Sequence, residues 1–99
     1  FHSPLMEPAK KRLAAAIENT VFKTPSCAVY QNVCATGIFD SNKLKANLIS
    51  QLTAPVYWTQ TIKQMILDGA TRFTEVGPGK VLQGLVKKID SSIETESGY

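Results

Sequence analysis

The apolar positions of this chain change period several times, and each change predicts an element. From about Glu7 they recur with helical spacing. Ala9, Leu13, Ala16 and Ile17 share a face, and Lys10, Lys11 and Glu18 point mostly outward. Pro8 would delete a helical hydrogen bond, so the regular helix is expected to start near Glu7 after a tight opening turn and to run to about Asn19. Ser3 is the expected cap, ahead of Pro4 at the first helical position. Residues 28–33 (Ala-Val-Tyr-Gln-Asn-Val) read as a strand between Pro25 and Gly37. Asp40, Ser41 and Asn42 offer caps for a helix with Leu44, Leu48 and Leu52 at i, i+4 and i+8, which Ala54-Pro55 breaks. Trp58, Ile62, Met65 and Ile66 mark a third helix ended by Gly69. Residues 72–76 read as a second strand. Gly77-Pro78-Gly79 then turns the chain into a last helix whose Leu82, Leu85, Val86 and Ile89 share a face. Residues 90–99 are polar and expected to fray.

The expected order is helix, strand, helix, helix, strand, helix. Strands separated by helices imply an α/β class with parallel strands. Two strands alone do not make a stable covered sheet, so partner strands are expected from sequence that this chain does not contain. Its opening on Phe1 rather than Met points the same way, to a fragment. With 99 residues, 43% hydrophobic and 19% charged, the composition is that of one globular domain or part of one. No apolar run is long enough to span a membrane, and no secretory leader pattern opens the chain, so the cytoplasm is the expected compartment. Residues 1–89 hold all 11 basic residues and five of the eight acids, a balance of +6, and Asp90, Glu94 and Glu96 form an acidic tail. Such a body favours acidic partners: nucleic acid, a phosphorylated cofactor or an acidic protein. Charge alone does not choose among them, nor against plain solubility.

Few residues carry candidate chemistry. His2 is the only histidine and lies in a loop before a helix, where a general base is often held, although a lone histidine is more often structural. Cys27 and Cys34 would stand roughly 20 Å apart on an extended strand, too far for a disulfide, and with one histidine they make no zinc site. Gly77-Pro78-Gly79-Lys80 lacks the spacing and the Ser or Thr of a phosphate loop, since Val81 follows Lys80. It reads as a tight strand-to-helix turn. Lys10-Lys11-Arg12 and Lys87-Lys88 have no interleaved aromatics, so base stacking has little support.

Four stretches in order carry a resemblance: Phe1-His2-Ser3-Pro4-Leu5-Met6, Val29-Tyr30-Gln31-Asn32-Val33, residues 50–58 (Ser-Gln-Leu-Thr-Ala-Pro-Val-Tyr-Trp) and residues 75–82 (Glu-Val-Gly-Pro-Gly-Lys-Val-Leu). Together they resemble the C-terminal portion of malonyl-CoA:acyl carrier protein transacylase, beginning at its catalytic-histidine motif. Acyltransferase domains of fatty-acid and polyketide synthases share much of this pattern and remain an alternative. The resemblance implies the C-terminal part of an α/β-hydrolase-like acyltransferase domain over residues 1–89, followed by the tail 90–99. It implies malonyl transfer from malonyl-CoA to the pantetheine thiol of acyl carrier protein by a Ser-His ping-pong mechanism, with no cofactor. His2 matches the catalytic histidine, acting as general base and acid. Gln51 matches the residue whose backbone carbonyl orients that ring. Phe1 matches the position that tracks extender-unit choice, where a bulky ring leaves no room for an α-methyl group. The family's serine elbow, arginine and glutamine segment are absent from these 99 residues, so the chain alone is expected to be inactive without the N-terminal part of the enzyme. Malonyl-CoA phosphates and an acidic carrier protein would account for the +6 body. A small basic nucleic-acid-binding module is the alternative from another class, and no membrane partner is expected.

Overall fold

The computed structural model describes residues 6–98, so the expected Ser3 cap and Pro4 start, like Phe1 and His2, lie outside the described residues. Its elements run α1 (Glu7–Glu18), β1 (Val29–Tyr30), β2 (Gly37–Ile38), α2 (Ser41–Ser50), α3 (Trp58–Leu67), β3 (Arg72–Glu75), α4 (Val81–Ile89) and β4 (Glu94–Ser97). All four helices fall where the periodicity places them. The chain divides into two compact units, residues 1–61 and 62–99, with α3 running across the boundary.

In the first unit, α1 begins after Met6 with Pro8 in its first turn, where a missing N–H costs no helical bond. Asp40 caps α2: its Oδ1 accepts from the amides of Asn42 (2.9 Å) and Lys43 (3.3 Å). The two helices pack together, and each sinks one aliphatic, Ile17 and Leu44. The rest of the expected α1 face is not core. Leu13 is 47% exposed, and Ala9 and Ala16 are exposed. Between the helices, β1 and β2 form an antiparallel pair, Val29 opposite Ile38 and Tyr30 opposite Gly37. The expected strand over 28–33 is therefore shorter, and its partner is a second short strand rather than a distant parallel one. A turn through residues 32–34 reverses the chain before six extended residues can form.

The second unit is a β-α-β crossover. β3 pairs in parallel with β4, in the register Arg72–Glu94, Phe73–Thr95, Thr74–Glu96 and Glu75–Ser97, and α4 connects them. Val86 and Ile93 are buried on this side, together with Ile62 at the end of α3 that belongs to this unit. The expectation that the tail after Ile89 frays is overturned for residues 90–98. Arg72 pairs with Glu94 at 3.1 Å, Thr74 Oγ1 donates to Glu96 Oε1 (2.8 Å), Gln83 Nε2 donates to Ser97 Oγ (2.9 Å), and the Gly98 amide reaches the Glu75 carbonyl (2.8 Å). Glu94 and Glu96 thus face a basic and hydroxylated strand. Asp90 starts the turn into β4. Its Oδ1 accepts from the Ser92 hydroxyl (2.6 Å) and amide (3.0 Å), and these bonds hold its carboxyl below the ordinary aspartate value.

Candidate active site

Of the three site residues expected from the sequence, the described structure contains Gln51, and His2 and Phe1 lie outside it. Gln51 is the C-cap of α2, half-buried, with a helical backbone (φ −67°, ψ −13°). The turn that follows is anchored from two directions. Lys10 Nζ on α1 donates to Thr53 Oγ1 (3.4 Å), and the Tyr57 amide donates to the Asn32 carbonyl just after β1 (2.9 Å). Met6, Ala9, Lys10 and Leu13 of the α1 stretch line a cavity of about 180 Å³ together with Leu52. Packing of α1 on α2 therefore places the start of α1 beside the Gln51–Leu52 step, although 45 residues of chain separate them. The exposed flank of α1 reported above borders this cavity.

Three further side chains hold this arrangement. Lys45 Nζ donates to the carbonyls of Glu18 (2.6 Å) and Thr20 (3.0 Å), where a helix C-terminus leaves acceptors without intrahelical donors. The same ammonium lies 5.8 Å from the centre of the Phe22 ring. Gln31 Nε2 donates to the Leu44 carbonyl (2.9 Å), tying the end of β1 to the middle of α2. Sequence reasoning gave these residues no role. The only signal available was a polar residue on an otherwise apolar strand, and it does not name the carbonyl it will meet.

The other candidates resolve into structure. Gly77 and Gly79 take left-handed backbone (φ +125° and +81°), as a strand-to-helix reversal of this tightness requires. The amides at the start of α4 already have an anion: Glu75 Oε2 accepts from Leu82 N (3.3 Å) and Oε1 from Gln83 N (3.2 Å). The turn is thus closed by its own carboxylate. Cys27 and Cys34 are free thiols. Among the described residues no group of His, Cys, Asp and Glu could hold a metal ion, and no helix is long and apolar enough to cross a membrane. Lys87 Nζ is engaged with the carbonyls of Ser91 and Ile93.

Comparison with known proteins finds relatives along nearly the whole chain. The malonyl CoA-acyl carrier protein transacylase of Haemophilus influenzae is 40% identical over 96 residues, covering 97% of this chain. The chain is homologous to part of malonyl-CoA:acyl carrier protein transacylase. It spans about a third of the length of the transacylases it matches, 31% of the Haemophilus protein. The crystal structure of an acyl carrier protein S-malonyltransferase from Vibrio cholerae superposes with a TM-score of 0.84 at 40% identity, over 97% of this chain and 31% of that one. A malonyl-transacylase solved in complex with a type II polyketide synthase acyl carrier protein matches with a TM-score of 0.80 at 33% identity, over 97% of this chain and 30% of its own. No family model matches the chain. The α/β class is thus shared with the transacylases along nearly the whole chain, and the motif resemblance read from residues 1–89 extends through β4.

Proposed function

We propose that residues 1–89 form the C-terminal part of the catalytic domain of a cytoplasmic malonyl-CoA:acyl carrier protein transacylase of fatty acid biosynthesis. The observation that carries this reading is transacylase homology over 97% of the chain. The packing of α1 against the turn after α2 supports it, because it brings Met6 and Leu52 to one cavity.

In this reading a serine from sequence outside this chain attacks the malonyl thioester. His2 takes the hydroxyl proton and delivers it to the departing CoA thiolate, leaving a malonyl ester on the serine. His2 then takes the proton of the carrier protein's pantetheine thiol, whose sulfur attacks the ester. The proton passes to the serine oxygen as the C–O bond breaks. The Gln51 carbonyl accepts the other ring N–H and holds the imidazole in the useful tautomer. Phe1 crowds the α-carbon of the acyl group, and one methyl group discriminates by about 1–3 kcal/mol. Malonyl-CoA and acyl carrier protein are the substrates, and the basic body steers both.

The test is a chimera in which this chain replaces the matching third of the Vibrio cholerae transacylase. His2→Ala should lower malonyl transfer from CoA to carrier protein by about 10²- to 10⁴-fold. Turnover equal to that of the unmutated chimera would remove His2 from the mechanism and the reading with it.

A further inference from the structure

The two outer edges of the β3–β4 pair differ. The Gly98 amide donates to the Glu75 carbonyl (2.8 Å), and the register sets Thr74 opposite Glu96. Along a paired strand, successive residues turn their amide and carbonyl to opposite sides. Phe73 and Glu75 therefore direct theirs at β4, whereas Arg72 and Thr74 direct theirs at the far edge of β3. By the same alternation Thr95 and Ser97 face outward from β4. The sheet has two strands only, and no backbone group among the described residues meets Thr74 on its edge. The two flanks of α4 differ as well. Val86 is buried against the sheet. Gln83 and Lys87, one turn apart, lie over β4: Gln83 Nε2 donates to Ser97 Oγ (2.9 Å), and Lys87 Nζ donates to the Ile93 carbonyl at the entry to that strand. At about 100° per residue, Leu82 and Leu85 fall on the other side of Val86, over β3, and both remain exposed. Ile89 continues this flank and lines a cavity of about 290 Å³ with Ile66 and Leu67 at the end of α3. The open edge of β3 thus lies under an apolar flank. The edge of β4 lies under a polar one, on a strand whose sequence is Glu-Thr-Glu-Ser, the charged composition that keeps an edge strand unpaired.

We infer that the free edge of β3, with Leu82 and Leu85 above it, is the docking surface for a strand from the part of the transacylase that lies outside this chain, and that β4 is the end strand of the completed sheet. The inference rests on the proposed function above, which supplies the partner, and adds to it the surface where the two parts join. Length and chemistry select the occupant. This chain spans 31% of the Haemophilus protein, so more than two thirds of such an enzyme lies elsewhere. A parallel pair of four-residue strands is not a sheet that stands alone, and parallel sheets are multi-stranded and covered. The incoming strand runs parallel to β3, offers its backbone to Thr74 and carries apolar side chains on the face beneath Leu82 and Leu85. A second copy of this chain would bring only another β3 edge, which a two-fold axis would set antiparallel.

Residue-resolved hydrogen exchange tells the edges apart. In the chimera described above, the Thr74 amide is expected to exchange at least about 10²-fold more slowly than an unprotected amide, and the Thr95 and Ser97 amides within about tenfold of one. The inference is overturned if Thr74 stays open beside a protected Glu75, or if Thr95 and Ser97 are the protected pair. The 99-residue chain alone gives a second test. There the Glu75 amide is expected to be slower than that of Thr74, and light scattering to read a monomer. A dimer with Thr74 protected would give the edge to a second copy, and a monomer with Thr74 as slow as Glu75 would mean that this chain closes the edge itself. Either result overturns the inference. Exchange and mass are read without turnover, so its failure is distinct from failure of the functional reading, which shows as a His2→Ala chimera with undiminished turnover.

Discussion

Asp40 shows how a single side chain sets an element boundary. Its carboxylate takes two of the orphan amides of α2, and no other side chain among the described residues serves that end. Asp40→Ala should cost about 1 kcal/mol of stability, with Asp40→Asn recovering most of it, as read from urea unfolding midpoints. The sequence narrowed this cap to Asp40, Ser41 or Asn42, because donor and acceptor are only two and three residues apart, and the structure selects Asp40. Gln51 was legible only through family resemblance, since nothing in its local sequence says that a backbone carbonyl will matter. Lys10 reads as outward charge on a helix face and instead reaches Thr53 Oγ1, and Lys45, to which sequence reasoning assigned no role, holds carbonyls at the end of α1. A long flexible stem carries no sequence signature of where its ammonium will rest.

Among the elements, the helices and β3 were readable, whereas the extent of β1 and the existence of β2 and β4 were not. A helix closes its hydrogen bonds within ten residues or so, so period and caps suffice to place it. A strand needs a partner, and the partner is chosen by the fold. β4 is Glu-Thr-Glu-Ser, with no apolar alternation, and it becomes a strand because Arg72 and Thr74 on β3 complement its acids and because Ile93 is buried just before it. β1 looks longer in the sequence than the turn at residues 32–34 permits. The start of α4 is a further case of a distant solution. Lys80 supplies no side-chain cap, and Glu75, on the preceding strand, accepts from Leu82 and Gln83 instead. Glu75→Ala should destabilise the protein by about 1 kcal/mol, with Glu75→Gln intermediate, and hydrogen exchange should quicken at the first turn of α4. Unchanged protection there would mean that water serves those amides equally well.

For the chain taken together, the core is thin. Its buried aliphatics among the described residues are Ile17, Leu44, Ile62, Val86 and Ile93, and no large side chain is fully enclosed. Val21, Leu67, Val76 and Val81 are 69–85% exposed. These 99 residues on their own should bind a hydrophobic dye strongly and unfold below about 45 °C, the lower edge for ordinary domains. A sharp transition well above that temperature without dye binding would contradict the burial pattern. The amino-acid order was enough to place four helices, the proline stop after α2, the glycine turn before α4 and the resemblance to part of the transacylases, because each depends on residues near one another or on motifs in register. The antiparallel β1–β2 pair, the pairing of the acidic tail with β3, the closure of the α4 N-terminus by Glu75 and the approach of Met6 to Leu52 emerged only in three dimensions. Each of these joins groups whose attraction is short-ranged, and which of them come within a few ångströms is settled by how the whole backbone is laid down.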